Sequence, residues 1–322
     1  DLPSFPTRRS SDLEVVGKQQ GALTQAFEYL QPMQSLIRSA DNSKPVYYDA
    51  ERDPSGTYTL VAAGKDGLVI LNTAASTYTA NDETIFNSED LLGIIDEDGD
   101  EIDDRYLASV RLPDGYHALS IETYFEKGFD RVFVLATKIS GDTASGARLF
   151  TVSFDSIDIT NSTIIESLDL PVDVARHIRV ENNRVLVAGD KDGLLLVDAY
   201  LHDKQYTFSN YPMPDDGAVL DVQEYHSVGY DDTLYVAVGG EFNYSENLLT
   251  DQEGVGSGGF YISANGPAEG YRVLSSLDIP ASRVVIDGTI AYLAAGSSGL
   301  VVVDIEDPLN PKVLSRVGSV GH

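Results

Sequence analysis

The chain of 322 residues carries 51 Asp and Glu against 22 Lys and Arg, a net charge of −29, and no cysteine. That length allows one large domain or two small ones. The charge excludes a general nucleic-acid binder, which needs a cationic face for phosphates, and disfavours adhesion to anionic membranes. The missing thiols exclude a disulfide scaffold, a thiolate metal site and a cysteine nucleophile. No apolar run approaches the ~18 residues of a membrane-spanning helix.

Residues 1–13, DLPSFPTRRSSDL, lack an initiating Met. The string at 4–13 resembles translated sequencing adaptor, as found at the ends of metagenomic gene fragments, and 1–13 is therefore set aside as a non-native leader. Residues 14–43 form a leading segment in which Ala22, Leu23, Ala26, Phe27 and Leu30 recur at helical spacing until Pro32, which predicts a short helix within 19–38. From residue 44 to 322 the chain is built on a repeat.

Three stretches carry the repeat most clearly: LVAAGKDGLVILN (60–72), LVAGDKDGLLLVD (186–198) and YLAAGSSGLVVVD (292–304). Each is a β-rich apolar run, a small-residue turn ending in Gly-Leu, and a second apolar run closed by Asn or Asp. Weaker copies pair VFVLAT (132–137) with ARLFTVS (147–153), and LYVAVGG (234–240) with GGFYIS (258–263). The turn glycine recurs near 67, 146, 193, 259 and 299. With insertions subtracted, the unit is roughly 40–47 residues, the length of a propeller blade. Runs such as Leu194–Val197 and Leu300–Val303 are apolar at every position, as strands between two sheets must be. Lys312–Val317 reads as an outer strand and Arg283–Ile286 as an inner one. The expectation is an all-β fold, a β-propeller with about five visible blades, as a fragment of a six- to eight-bladed ring.

The last copy, AYLAAGSSGLVVVDIEDPLNPKVLSRVGSVG (291–321), resembles the LVIVD repeat, whose unit runs from an Ala-Tyr-Val strand through Gly-Leu and Ile-Val-Asp to Asp-Pro-x-x-Pro. The resemblance covers about 44–321 with insertions. It implies a β-propeller of secreted or surface-attached bacterial and archaeal proteins, mostly of unassigned function.

An acidic insertion at 79–106 interrupts the repeat. Residues 81–104 hold eleven acids and no base, and IIDEDGDEIDDRY (94–106) sets Asp96, Asp98, Asp100 and Asp104 around Gly99. Calcium takes six to eight oxygens at about 2.4 Å, which alternate carboxylates on a tight loop can supply. Those four aspartates, with a backbone carbonyl near Ile102, form the candidate metal set, and the ion's role would be structural. The pattern is similar to the loops of thrombospondin type 3 repeats; it departs from an EF-hand, which wants Gly where this chain has Glu101. A solvated acidic loop is the plainer reading of the same residues.

No catalytic signature emerges. GVGSGG (254–259) opens a strand where a dinucleotide site needs a helix, and Gly296-Ser297-Ser298-Gly299 lacks the spacing of a nucleophile elbow. His177 and His226 stand 12 and 13 residues before Gly189 and Gly239, on or near successive inner strands; with His117 they are candidates to face the central channel, or ordinary polar residues of half-exposed strands. The 18 tyrosines decide nothing. The sequence thus reads as a non-enzymatic binding or scaffolding propeller, extracellular, surface-bound or periplasmic, braced by calcium and recognising a protein or carbohydrate, with no nucleic acid and no membrane insertion. Such a module predicts insertions on one face. The competing reading is a calcium-dependent hydrolase or lyase at the propeller mouth, which predicts that His117, His177, His226, Arg176 and Arg179 converge.

Overall fold

The computed structural model describes residues 47–72, 78–80, 83–85, 106–126, 129–140, 143–181, 184–200, 205–214, 218–227, 230, 232–239, 259–266 and 269–318. The leader, the segment expected to be helical and the candidate calcium residues Asp96, Asp98, Asp100, Ile102 and Asp104 lie outside them.

The described chain is a β-propeller of five four-stranded antiparallel blades. Blade I is formed by β1 (Asp49–Arg52), β2 (Tyr58–Ala62), β3 (Leu68–Asn72) and β6 (Tyr106–Val110), with a separate hairpin, β4 (Tyr78–Ala80) and β5 (Glu83–Ile85), between its last two strands. Blade II holds β7 (Tyr116–Glu126), β8 (Phe129–Ser140), β9 (Thr143–Ser153) and β10 (Thr163–Leu170). Blade III holds β11 (His177–Glu181), β12 (Arg184–Ala188), β13 (Leu194–Tyr200) and β14 (Gln205–Tyr211). Blade IV holds β15 (Val219–Tyr225), β16 (Thr233–Gly239), β17 (Phe260–Gly266) and β18 (Gly270–Leu277). Blade V holds β19 (Arg283–Asp287), β20 (Ile290–Ala294), β21 (Leu300–Asp304) and β22 (Lys312–Val317). In every blade sequence order is sheet order, and the first strands pack in succession, β1 on β7, β7 on β11, β11 on β15 and β15 on β19. These five strands line the axis.

The repeated glycine has a common cause. Gly67, Gly146, Gly193, Gly259 and Gly299 all take positive φ, between 72° and 125°, a region that a Cβ makes costly. Space adds to the demand: a Cβ on Gly67 would come within 2.3 Å of the Val110 carbonyl, and one on Gly193 within 2.3 Å of the Tyr211 carbonyl. The same backbone bond closes the turn in four blades, from Ala63 to Gly67, Gly189 to Gly193, Gly239 to Gly259 and Ala295 to Gly299.

Between blades the packing follows one rule: the face of a blade turned toward the next one, here its rear face, presses on that neighbour's front. Leu60, Ala62, Leu68 and Ile70 of blade I meet Ala118, Ile121, Val132 and Val134 of blade II. Phe133, Leu135 and Leu149 meet Ile178, Val185, Val187, Leu195 and Val197. Leu186, Ala188, Leu194 and Leu196 meet Val219, Val222, Tyr235 and Ala237. Val236, Val238, Phe260 and Ile262 meet Val284, Leu293, Val301 and Val303. Alternating residues of each strand therefore belong to different cores, which is why the middle strands are apolar throughout. The turns of blades I, III and IV also bond to the next blade, through Gly64 and Ala118, Asp190 and Val219, and Gly239 and Ala281.

The flanking strands assign the insertions to ends. In an antiparallel sheet the link from third to fourth strand leaves by the end opposite the link from second to third. Residues 73–105 follow β3, whereas 240–258 follow β16, so the two depart from opposite ends of the propeller. The expectation of insertions on one face does not hold.

Candidate functional site: the propeller axis

The inner strands bring polar side chains to the axis in two layers. The first holds Asp49, Ser120, His177, Asp221 and Arg283; Asp49, His177, Asp221 and Arg283 stand opposite equivalent residues of their second strands, and Ser120 follows a bulge in β7. The second holds Glu51, Glu122, Arg179 and Gln223 at the positions two residues on. Inner strands of neighbouring blades form no shared sheet, so one edge of each carries backbone N–H groups that must find other acceptors.

Side chains of the preceding blade supply them. Ile121 N–H donates to Asp49 Oδ2 at 3.1 Å, and Thr123 donates from its N–H to Glu51 Oε2 at 2.6 Å and from its hydroxyl to Oε1 at 2.8 Å. Ser120 gives its hydroxyl to Asp49 Oδ2 at 2.7 Å and receives the Ile178 N–H at 3.3 Å. Val284 N–H donates to Asp221 Oδ2 at 2.9 Å and Ile286 N–H to Gln223 Oε1 at 2.9 Å. Asp49 and Asp221 repeat one geometry. Each takes the following N–H of its own strand on Oδ1, from Ala50 at 3.0 Å and Val222 at 2.8 Å, and the next blade's N–H on Oδ2.

His177 breaks the series. An imidazole in place of an acceptor leaves Val222 to be satisfied by Asp221, and the ring lies between two carboxylates. Nδ1 stands 2.9 Å from Asp221 Oδ1 and Nε2 3.5 Å from Asp49 Oδ2. Burial holds His177 below its ordinary pKa despite both acids. Burial alone would raise Asp221, but His177, Arg179 and Arg283 together hold its carboxyl well below the usual carboxylate range. Arg179 spans the layers, 3.4 Å from Glu122 and 3.8 Å from Asp221.

The second layer is poor in cations. Burial first, and then the neighbouring Glu51 and Asp49, push Glu122 up to about 9 against the pull of Arg179. Glu51 rises to about 7, mainly through burial and partly offset by its two Thr123 bonds. Glu181 also rises to about 7 through burial and the nearby Glu224. Chemically the axis is a set of interblade ties: burial raises its glutamates, while Asp49, Glu51 and Asp221 already hold donors.

The histidines do not come together. His177 opens β11 and is buried on the axis, its side chain 4% exposed. His226 comes one residue after β15; its side chain is 75% exposed and meets Glu224 Oε1 at 3.7 Å. The link from first to second strand is longer in blade IV than in blade III, so equal spacing to the turn falls at opposite ends of the inner strand. His117 is half-buried at the start of β7, lowered in pKa by burial and then by Lys65. Arg176 ion-pairs with Asp190 at 2.7 Å, at the base of blade III. Only His177 and Arg179 share a partner, Asp221. Among the described residues no group of three or more His, Asp or Glu forms a metal-holding set.

Asp49, Ser120, Glu51, Glu122, Asp221 and Gln223 are not legible as a set in the chain. They share a position but no residue type, and their distance to the turn varies from blade to blade.

A family profile of the LVIVD repeat matches residues 280–318, the run into β19 and the whole of blade V. No curated protein matches the chain.

Proposed function

We propose that this LVIVD-repeat β-propeller is a non-enzymatic scaffolding or binding module of a secreted or cell-surface protein, steadied by calcium on its acidic insertion. The observation that carries the reading is the use made of the axis: Asp49, Glu51, Ser120, Asp221 and Gln223 are each engaged by an N–H of the next blade. Groups committed in this way hold a rigid ring and lie apart from substrate chemistry. The insertions leave from opposite ends, against the single face that this reading predicts, so its support rests on the axis; the partner it would bind is a protein or carbohydrate. The hydrolase or lyase reading has less support, because Arg176, Arg179 and His226 are drawn to different acids. No helix among the described residues is long and apolar enough to cross a membrane.

Asp96, Asp98, Asp100 and Asp104, with the Ile102 carbonyl, are the residues that would hold the ion. Unfolding of the chain in excess calcium and again in chelator tests that part, since an ion bound only by the native state raises the midpoint. The expected result is an upward shift that Asp98→Asn removes; equal midpoints in both conditions would reject calcium bracing. For the rest, turnover of phosphate-ester, glycoside and polyuronide substrates in calcium should stay at background. Turnover that His177→Ala abolishes in a folded variant would establish an enzyme instead.

A further inference from the structure

His177 is the one imidazole of the first axial layer, and it faces a carboxylate on each side. Nδ1 stands 2.9 Å from Asp221 Oδ1 of blade IV, and Nε2 3.5 Å from Asp49 Oδ2 of blade I. Both oxygens already receive hydrogen bonds. Asp221 Oδ1 takes the Val222 N–H at 2.8 Å, and Asp49 Oδ2 takes the Ser120 hydroxyl at 2.7 Å and the Ile121 N–H at 3.1 Å. Each therefore presents an acceptor to the imidazole, and a neutral imidazole has one proton to give. The shorter contact places that proton on Nδ1, toward Asp221, and leaves the Nε2 lone pair facing the Asp49 oxygen. A proton on Nε2 would turn this second contact into a charge-assisted hydrogen bond.

We propose that His177 is a proton-operated clasp: neutral, it ties blade III to blade IV alone, and protonated at Nε2 it ties blade I as well. Blade II is drawn in through Ser120, which gives its hydroxyl to the same Asp49 oxygen and takes the Ile178 N–H beside His177. The contacts run between blades I to IV, whose mutual interfaces are all packed. The charges in the same layer are Asp49 of β1, Asp221 of β15 and Arg283 of β19; β7 adds the neutral Ser120, and β12 sets Ala188 opposite. One layer on stand Glu51 of β1, Glu122 of β7 and Arg179 of its own strand. Burial is the largest influence on the imidazole and lowers it, with Arg283 adding to the effect and Asp221 and Asp49 opposing it. The second proton therefore arrives in more acid solution than for a free imidazole. A base held below its unfolded value of 6.5 contributes stability above that pH and loses it as pH falls. Acid thus closes the clasp while lowering the unfolding free energy.

Nitrogen NMR of the full chain, with histidine labelled, follows both imidazole nitrogens through an acid titration. At pH 8 the expected state is neutral, with the proton on Nδ1. As pH falls, both nitrogens should move together to the imidazolium form, with a midpoint below 6.5 and before the chain unfolds. The Ile121 amide, which donates to Asp49, should shift with that midpoint, whereas the Ile286 amide, which donates to the uncharged Gln223, should not. Asp49→Asn should lower the midpoint by about one unit, the effect of losing a nearby opposite charge. In His177→Gln, whose amide can face Asp221 without titrating, the Ile121 response should vanish; if that variant does not fold, the wild-type titration and Asp49→Asn decide. A proton on Nε2 at pH 8, or an imidazole that is charged throughout or neutral until unfolding, overturns the proposal. So does a midpoint indifferent to Asp49→Asn, or an Ile121 shift that survives in His177→Gln.

Discussion

Blades III and V carry nearly the same hairpin, yet their rear faces have opposite fates. Leu194 is fully buried beneath blade IV, while Leu300, at the same place after the turn glycine, is 43% exposed. Both turns take positive φ at Gly193 and Gly299 and close with the same bond. The hairpin is therefore a local property of the repeat, whereas burial of its second face belongs to the neighbouring blade. A solenoid-like ring stores its stability in such nearest-neighbour contacts.

The comparison breaks most sharply where blades III and IV meet on the axis. Asp221→Asn leaves one carbonyl for the N–H groups of Val222 and Val284 and removes the charge that faces His177 and Arg179. Loss of one partner of a buried pair costs about 3–5 kcal/mol, and the unfolding free energy should fall by that order. Asp49→Asn disturbs the same hydrogen-bond geometry where the side chain is partly exposed, and about 1–2 kcal/mol is expected. Equal losses would mean that the two ties do not differ by burial.

The leucine pair measures the interblade contact directly. Leu194→Ala should cost about 2–5 kcal/mol in chemical denaturation, the range for a fully buried leucine. Leu300→Ala should change stability by no more than about 0.5 kcal/mol. A large loss at Leu300 would show that blade V is covered on both sides.

Acidity sharpens the axial half of the account. A carboxyl whose folded pKa lies above its unfolded value binds more protons when folded, so its contribution is complete below about 4.5 and lost as pH rises through the folded value. Glu51 and Glu181 place that loss between about 4.5 and about 7, and Glu122 extends it to about 9. Asp221 and His177 act the other way, Asp221 below its unfolded carboxylate range and His177 as pH falls through 6.5. The melting temperature should therefore decline from near pH 6 to pH 9, and Glu122→Gln should flatten the decline between pH 7 and 9. An unchanged slope in that variant would detach Glu122 from the effect.

Much of the blade was legible in the chain. Gly67, Gly193 and Gly299 marked turns because a Cβ there is costly, and the all-apolar runs marked strands between two sheets. Leu300–Val303 shows the limit of that inference, since apolarity records what a strand can pack against and leaves open what lies beside it. The axis was far less legible. Asp, Ser and Gln all accept an N–H, so the ties can change residue type from blade to blade and leave no motif. His177 stood out as a rare residue type, but the role of Asp221 beside it depends on register across blades, and the bulge before Ser120 shifts that register.

Amide hydrogen exchange tests most directly the claim that axial side chains tie each blade to the next. The N–H groups of Ile121, Thr123, Ile178, Val284 and Ile286, which donate to side chains of the preceding blade, should exchange as slowly as those of the middle strands. In Asp221→Asn, protection should drop at Val284 well before it drops at Ile121. Exchange at these five positions as fast as in the turns would contradict the account.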